Sequence, residues 1–382
     1  MAHQAARPSL RLDLNDKESV VNTVSIVGAG IVGLAHAYAY AKRGWRVRVF
    51  ERSPRAAGAS VRNFGMLWPI GQPGGELEGI AMNSRRLWLE VLDAARIPYF
   101  PHGSLHLAYE ADEEAVIREF VARAPARGAW IDAADACALS PAVQPDGLRG
   151  ALHSPHEAVV DPRLALSLLP EYLDEAYGVE FLFGRAVQNP ARLQSDRVVV
   201  CSGDDFATLY PDVFAASELT RVKLQMLRTA PQPGNWRMGP ALAAGLTLRF
   251  YRSFRICTET LPALEARIAA ELPEYDRWGI HVMASPTADH CVTLGDSHES
   301  GLVTDVFNKE EIDALILAYL ARFARLPEPR IAQRWYGVYA KHPRQPYFTA
   351  EPEPGVRIVT GLGGAGMTLS FGLAEKLVAA TS

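Results

Sequence analysis

The residues best placed to do chemistry lie near the front of the 382-residue chain, in Thr23-Val-Ser-Ile-Val-Gly28-Ala-Gly30-Ile31-Val32-Gly33. The β-branched run Val24–Val27 suits a buried parallel strand. The GxGxxG spacing after it suits a cradle for a pyrophosphate. Gly28 permits a tight turn out of the strand, Gly30 lets the backbone approach phosphate oxygens, and Gly33 lets the next helix pack closely on the sheet. An Ala-rich stretch with good helix propensity follows and stops at Gly44. Its first turn, Ile31 and Val32 included, offers unpaired N–H groups and the positive dipole end to an anion. A second strand, 46–50, ends at Glu51, 18 residues beyond Gly33. A carboxylate there accepts hydrogen bonds from ribose hydroxyls and repels a 2′-phosphate, which disfavours NADP. Strand, glycines, helix, strand and acid in that order predict a dinucleotide site. Without a ligand, the same order is an ordinary βαβ unit whose glycines only make a turn.

The fingerprint alone does not choose between NAD and FAD. Three further segments do, through a resemblance to the D-amino-acid oxidase/glycine oxidase/sarcosine oxidase family of flavoproteins. Glu51-Arg52 runs into a small-residue loop containing Ser60, Arg62, Asn63, Gly65 and Met66, which resembles the family's loop along the pyrophosphate and the flavin ring. Asp196–Gly203, an apolar strand ending in Ser202 and Gly203, resembles the second FAD strand, and Gly184–Val187 the strand whose backbone brackets the adenine. Near the C-terminus, Val356–Thr360 leads into Gly361-Leu-Gly363-Gly364-Ala-Gly366-Met367-Thr368 and then a helix. The N–H groups and dipole of such a turn suit the partly negative flavin N1–C2=O edge; the plain alternative is a glycine-rich connection. Several family members tether flavin through a cysteine in the segment before these glycines. Here that segment, Arg334–Pro343, has none, so the resemblance implies non-covalent FAD.

The resemblance covers residues 23 to about 378. It implies an α/β fold: a Rossmann-like FAD-binding domain built from 23–85, 150–218 and 330–382, with an inserted antiparallel-sheet substrate domain from 86–149 and 219–329. It also implies oxidation of an amine to an imine that water hydrolyses, with O2 or another acceptor reoxidising the flavin. No acid–base dyad is required if the amine binds neutral, and no Ser/His/Asp constellation stands out. SVRNFGMLWPIG (60–71), VKLQMLRT (222–229), LTLRFYRSF (246–254) and RWYGVYAKHP (334–343) look like a subgroup associated with aminophosphonate breakdown, acting on 2-aminoethylphosphonate-like amines.

An anionic amine needs a cation to hold it. Arg62 is the first candidate, because its loop position places it by the ring; the alternative pairs it with flavin or with a carboxylate elsewhere. Tyr339 either contacts substrate or packs over the ring, and Lys341 reaches the pocket or does not. Alternation in Leu246–Phe254 reads as a strand with Thr247, Arg249, Tyr251 and Ser253 on one face. Arg249 and Tyr251 serve an anion if that face lines the cavity, and are surface residues if it faces solvent. The remaining rivals are a glycine, sarcosine or D-amino-acid oxidase, a non-catalytic flavin-binding redox sensor, and an NAD-linked dehydrogenase.

The elements that must position these groups follow from periodicity: helices over 76–95, 112–124, 164–176 and 308–323, and strands over 103–109, 219–229, 281–284 and 291–294. Lys and Arg total 39 against 43 Asp and Glu, a net charge of −4 that excludes a generally basic nucleic-acid binder. Hydrophobic residues at 48% supply a sizeable core. No apolar run is long enough to span a membrane. Cys137, Cys201, Cys257 and Cys291 are too scattered for a disulfide framework or zinc site, and no metal is expected. Residues 1–22 read as a flexible lead-in without a secretory apolar block, so a cytoplasmic protein is expected. Oligomeric state is not legible.

Overall fold

The computed structural model describes residues 21–380. The lead-in expected at 1–22 lies, apart from its last two residues, outside the described residues. Two sheets organise the chain. The first has six strands in the order Phe348–Glu353, Val356–Thr360, Arg197–Val200, Thr23–Val27, Arg46–Glu51 and Glu180–Phe183. All neighbours run parallel except the Phe348–Glu353 edge. Its strands are apolar on both faces, as a covered parallel sheet requires. Val24, Ile26 and Val199 pack with the helices Ile31–Ala41, Glu76–Ala94, Pro162–Tyr177 and Gly366–Ala379, while Val198, Val200 and Ile358 pack with Leu209 and Phe214.

The second sheet has nine strands and carries the largest core. Eight run in the order Glu299–Gly301, Thr220–Thr229, Val292–Gly295, Met283–Pro286, Ala241–Ala243, Ser104–Ala108, Gly150–Ser154 and Ala129–Ile131, and Ile331–Lys341 also pairs with Thr220–Thr229. It is antiparallel except where Ala241–Ala243 runs beside Ser104–Ala108. The fold is therefore the mixed α/β architecture expected: a Rossmann-like sheet joined to a second, mainly antiparallel one.

Gly150–Ser154 pairs with Ser104–Ala108, and Ile331–Lys341 with Thr220–Thr229, so both belong to the antiparallel sheet. The helix Glu76–Ala94 buries Ile80, Leu87, Trp88 and Leu92 in the parallel-sheet core. Two local expectations fail. Leu246–Phe254 is not a strand but the helix Gly245–Phe250 followed by a 3-10 turn, Arg252–Ile256. Leu246, Thr247 and Leu248 are all buried there, and in so short a buried segment alternation does not separate strand from helix. The strand expected at Gly184–Val187 is Glu180–Phe183; Gly184 turns the chain at φ +70° into a loop.

Candidate active site

Between the sheets lies a cavity of ≈ 670 Å³. At one end the strand Thr23–Val27 turns at Gly28, with φ +107°, where a Cβ would sit 2.4 Å from the Cys201 carbonyl oxygen. The helix Ile31–Ala41 starts immediately beyond. Glu51 ends the neighbouring strand and accepts hydrogen bonds from the N–H groups of Ala29 (3.0 Å) and Ser53 (2.9 Å). Ser60 Oγ accepts from Ile31 N–H at 3.0 Å, which ties the small-residue loop to the helix N-terminus. The Asn63 side chain bonds the carbonyls of Ala59 and Ser60 and the N–H of Gly65, holding the loop's far end. Arg52 lines this end and pairs with Asp205 at 2.5 Å.

The C-terminal glycines close the cavity from the other side. A Cβ on Gly366 would have Ile31 Cγ2 as its neighbour, at 4.0 Å, so the leading and trailing glycine turns meet. Thr368 Oγ1 accepts from Trp68 N–H at 3.0 Å, and Trp88 Nε1 donates to the Met367 carbonyl at 2.8 Å. Tyr339 and the Lys341 stem stand over Gly363, and the Tyr339 hydroxyl over Gly364.

Most residues singled out in the sequence are brought together here. Gly28, Gly30, Ile31, Val32, Glu51, Arg52, Ser60, Arg62, Asn63, Met66, Val187, Ser202 and Gly203 line the cavity, as do Gly361, Gly363, Gly364, Gly366, Met367, Thr368, Tyr251, Tyr339 and Lys341. Three do not. Gly33 lies behind the first turn, where a Cβ would meet the Gly28 carbonyl oxygen at 1.9 Å, and Gly65 packs against the Val160 carbonyl. Arg249 is held by Asp276 at 2.6 Å and faces away, because its segment is helical rather than extended. Arg252, not among the anion-binding candidates, lines the cavity instead.

A family model described as FAD dependent oxidoreductase matches residues 23–380. The chain belongs to that family. No curated protein sequence matches it. Among solved structures it is similar to glycine oxidase from Geobacillus kaustophilus, at 20% identity and TM-score 0.71 with 94% of each chain covered. It is similar to iminodiacetate oxidase from Chelativorans sp. BNC1, at 19% identity and TM-score 0.66, covering 93% of this chain and 94% of that one. It is also similar to the FAD-bound L-alpha-glycerophosphate oxidase of Mycoplasma pneumoniae, at 16% identity and TM-score 0.68 with 94% of each covered.

The residues present fit the FAD of this FAD-dependent oxidoreductase. Gly30 has extended backbone (φ −69°, ψ 172°), and a Cβ there would find Ser60 Oγ at 3.2 Å as its close neighbour, so the space beside it is cavity. Two helix N-termini offer N–H groups, and Glu51 offers a carboxylate.

At the far end of the cavity stands a cluster that the sequence reading passed over. His281, Asp296 and His298 place ligand-bearing atoms within 4.8 Å of one another. His281 Nε2 is 3.2 Å from Asp296 Oδ1, and His298 Nε2 is 3.8 Å from Oδ2. The Phe250 ring stacks on His281 at 3.8 Å. Burial, helped by the neighbouring His298 charge, holds His281 well below the usual histidine range, and burial holds His298 down at about 4. Burial pushes Asp296 well above the carboxylate range, and lifts Tyr251 and Tyr339 with help from Asp296. The only sequence signal was two histidines flanking an aspartate around an apolar hairpin, which has no motif spacing.

The cations lie on an adjoining wall. Among the described residues no carboxylate forms an ion pair with Arg62, Arg252 or Lys341. Arg62 donates to the Tyr336 carbonyl at 3.3 Å and accepts at its own carbonyl from Trp335 Nε1 at 3.1 Å. Desolvation, then the charge of Arg252, lowers the Lys341 ammonium from its ordinary range, so these two cations feel each other.

Proposed function

We propose that the chain oxidises the C–N bond of a small anionic amine, 2-aminoethylphosphonate or an N-methylated aminophosphonate. The product is an imine that water hydrolyses to an aldehyde, with O2 as the acceptor that regenerates FAD and yields H2O2. FAD, when bound non-covalently, supplies the hydride acceptor. The chain's own residues bind, orient and desolvate the donor. Gly28, Gly30, Glu51 and the loop 58–66 are assigned to the pyrophosphate and ribose, and Gly361–Thr368 to the flavin edge.

The observation that carries the reading is the set of cations that have no carboxylate partner among the described residues, Lys341, Arg252 and Arg62, on the cavity wall beside the trailing glycine turn. A cavity that gathers unneutralised cations favours an anion, and a phosphonate, with more charge and more acceptor oxygens than a carboxylate, rewards several of them. The structural similarity to glycine oxidase and iminodiacetate oxidase supports the amine, and that to L-alpha-glycerophosphate oxidase supports a phosphorus oxyanion on this scaffold. A second reading, a glycine, sarcosine or D-amino-acid oxidase, is favoured by Arg62 alone, since one guanidinium suffices for a carboxylate.

The test is anaerobic mixing of the yellow holoenzyme with 2-aminoethylphosphonate, its N-methyl form, glycine and sarcosine. Bleaching of the flavin by the phosphonates at the lowest concentration is expected. Bleaching by glycine or sarcosine alone transfers the assignment to the second reading, and bleaching by no amine leaves a flavin-binding protein of another kind.

A further inference from the structure

Gly71 closes the 3-10 turn Pro69–Gly71 and lines the cavity. Its φ lies outside the left-handed region that favours glycine, so its backbone is open to any residue. An added Cβ would nevertheless sit 2.8 Å from Trp68 Cδ1, and 2.8 and 2.9 Å from Tyr251 Cδ1 and Cε1. Nothing in the backbone calls for glycine here; two aromatic rings on the cavity wall do.

The turn cannot step back from those rings. Arg127, 8% exposed, donates from Nη2 to the carbonyls of Pro69 (3.0 Å), Ile70 (3.0 Å) and Gln72 (2.7 Å), and its Nε pairs with Glu78 at 3.0 Å. From the other side, Ile70 N–H donates to the fully buried Glu157 at 2.9 Å, and Trp68 N–H to Thr368 Oγ1 at 3.0 Å. Charge-assisted bonds therefore grip the backbone on both sides of Gly71. The rings are backed as well. Trp68 stands against His106, with centroids 5.4 Å apart, and Tyr251 against Phe250 at 5.5 Å and His281 at 5.6 Å. Both rings line the cavity, and that is the side left open to them. Non-bonded carbons rest about 3.5–4.0 Å apart, so a side chain at position 71 would drive the Tyr251 ring about 1 Å into the cavity.

We propose that Gly71 is a specificity-determining residue: its missing Cβ lets Tyr251 stand back, and this gives the donor pocket about one methyl group of extra width. Arg127 is the positioning residue that makes the width fixed, because it denies the turn any retreat. The proposal rests on the amine-oxidising function proposed above, and it assigns to the pocket donors larger than the simplest primary amine.

The experiment compares anaerobic flavin reduction of the holoenzyme by 2-aminoethylphosphonate with reduction by two donors one carbon larger, its N-methyl form and 3-aminopropylphosphonate. Wild type is expected to accept a larger donor. One methylene too many in a closed pocket is worth about 10- to 200-fold, so Gly71→Ala should lose that much in kcat/KM for at least one larger donor relative to 2-aminoethylphosphonate. Which of the two suffers tells which end of the donor meets Tyr251. In a Tyr251→Ala background the obstructing ring is gone, and adding Gly71→Ala should move the same ratio by less than about threefold. A size profile unchanged in Gly71→Ala, equal loss for all three donors, or the same shift with and without the Tyr251 ring overturns the assignment. If Gly71→Ala fails to hold FAD, recovery of the flavin spectrum in Gly71→Ala/Tyr251→Ala supports the ring as the obstacle, and failure of both overturns it. When wild type is reduced by amines and these outcomes fail, only Gly71 falls; when no amine reduces wild type, the function falls first and takes this assignment with it.

Discussion

Gly30→Ala separates what the fold requires of a glycine from what a ligand requires. The backbone of Gly30 (φ −69°, ψ 172°) is open to any residue, and an added Cβ has one close neighbour, Ser60 Oγ at 3.2 Å. Losing glycine at a helix N-cap costs a few tenths of a kcal/mol to about 1 kcal/mol, and the lower entropy of the unfolded chain returns about 0.4–1 kcal/mol. Apoprotein stability should therefore change by less than about 1 kcal/mol. The cofactor tells a different story. A methyl group in the cradle holds a pyrophosphate off the N–H groups of the first turn, and each charge-assisted hydrogen bond lost is worth about 1.5–3 kcal/mol. Loss of one or two weakens FAD binding by about 2–5 kcal/mol, roughly 30- to 5,000-fold in Kd. Gly33→Ala is the control: its Cβ would sit 1.9 Å from the Gly28 carbonyl oxygen, so helix and strand must separate, and about 3 kcal/mol of apoprotein stability should go. Titrating apoprotein with FAD by flavin fluorescence, alongside thermal unfolding of the apo forms, reads both quantities. Wild-type FAD affinity in Gly30→Ala would refute the placement of the pyrophosphate.

Three other outcomes follow from the same geometry. Lys341→Met should raise KM for 2-aminoethylphosphonate about 10- to 100-fold in steady-state assays while kcat moves little, because its ammonium is held by no carboxylate among the described residues and serves the ground state; an unchanged KM removes it from the anion site. Arg249→Ala should leave KM within about twofold and lower Tm, since its partner is Asp276 and it does not line the cavity; a large rise in KM would restore it to the site. Burial, opposed by the Val32 carbonyl, brings buried His36 down to about 4, so between that value and the unfolded ~6.5 the unfolded chain binds more protons. Its contribution, about 3 kcal/mol, is complete above pH ~6.5 and lost as pH falls toward 4; Tm of His36→Leu should fall less than that of wild type on going from pH 7 to 4.5.

How far the sequence could be read depended on whether a function was local. The first turn was legible because strand, glycines, helix and Glu51 follow one another in 29 residues, Thr23–Glu51, and each has a steric or electrostatic reason for its type. The trailing turn was legible for the same reason. Arg249 was misplaced because a six-residue buried helix presents the same alternation as a strand, and the packing of Leu246 and Leu248 settles what local pattern leaves open. The His281–Asp296–His298 cluster could not be read at all. It depends on the hairpin Met283–Pro286/Val292–Gly295 returning the chain so that Asp296 N–H donates to the His281 carbonyl at 2.9 Å, and on Phe250 arriving from a different element. The lack of a carboxylate partner for Lys341 and Arg252 among the described residues was equally invisible, since it is defined by the acids that are not near them.

One strand joins these parts, and its register explains why the two ends of the cavity belong to one site. Ile331–Lys341 is hydrogen-bonded along Thr220–Thr229 in the antiparallel sheet, yet its last residue bridges to Leu362 in the trailing glycine turn. Alternate residues of a strand share a face, and here the odd positions meet the small-residue loop and then the trailing glycine turn in sequence. Trp335 Nε1 bonds the Arg62 carbonyl, Gly337 leaves room for the Arg62 stem at 3.5 Å, and Tyr339 and Lys341 stand over Gly363. A one-residue slip would exchange Tyr339 and Lys341 for Ala340 and His342 and turn every contact to the other side. The ten-residue ladder to Thr220–Thr229, buried along most of its length, is what forbids that slip. The antiparallel sheet therefore acts on the chemistry at a distance. It sets which side chains stand over the trailing glycine turn, while the parallel sheet sets where the leading glycine turn opens onto the cavity. Only where the strand crosses from one to the other are both requirements imposed on the same residues.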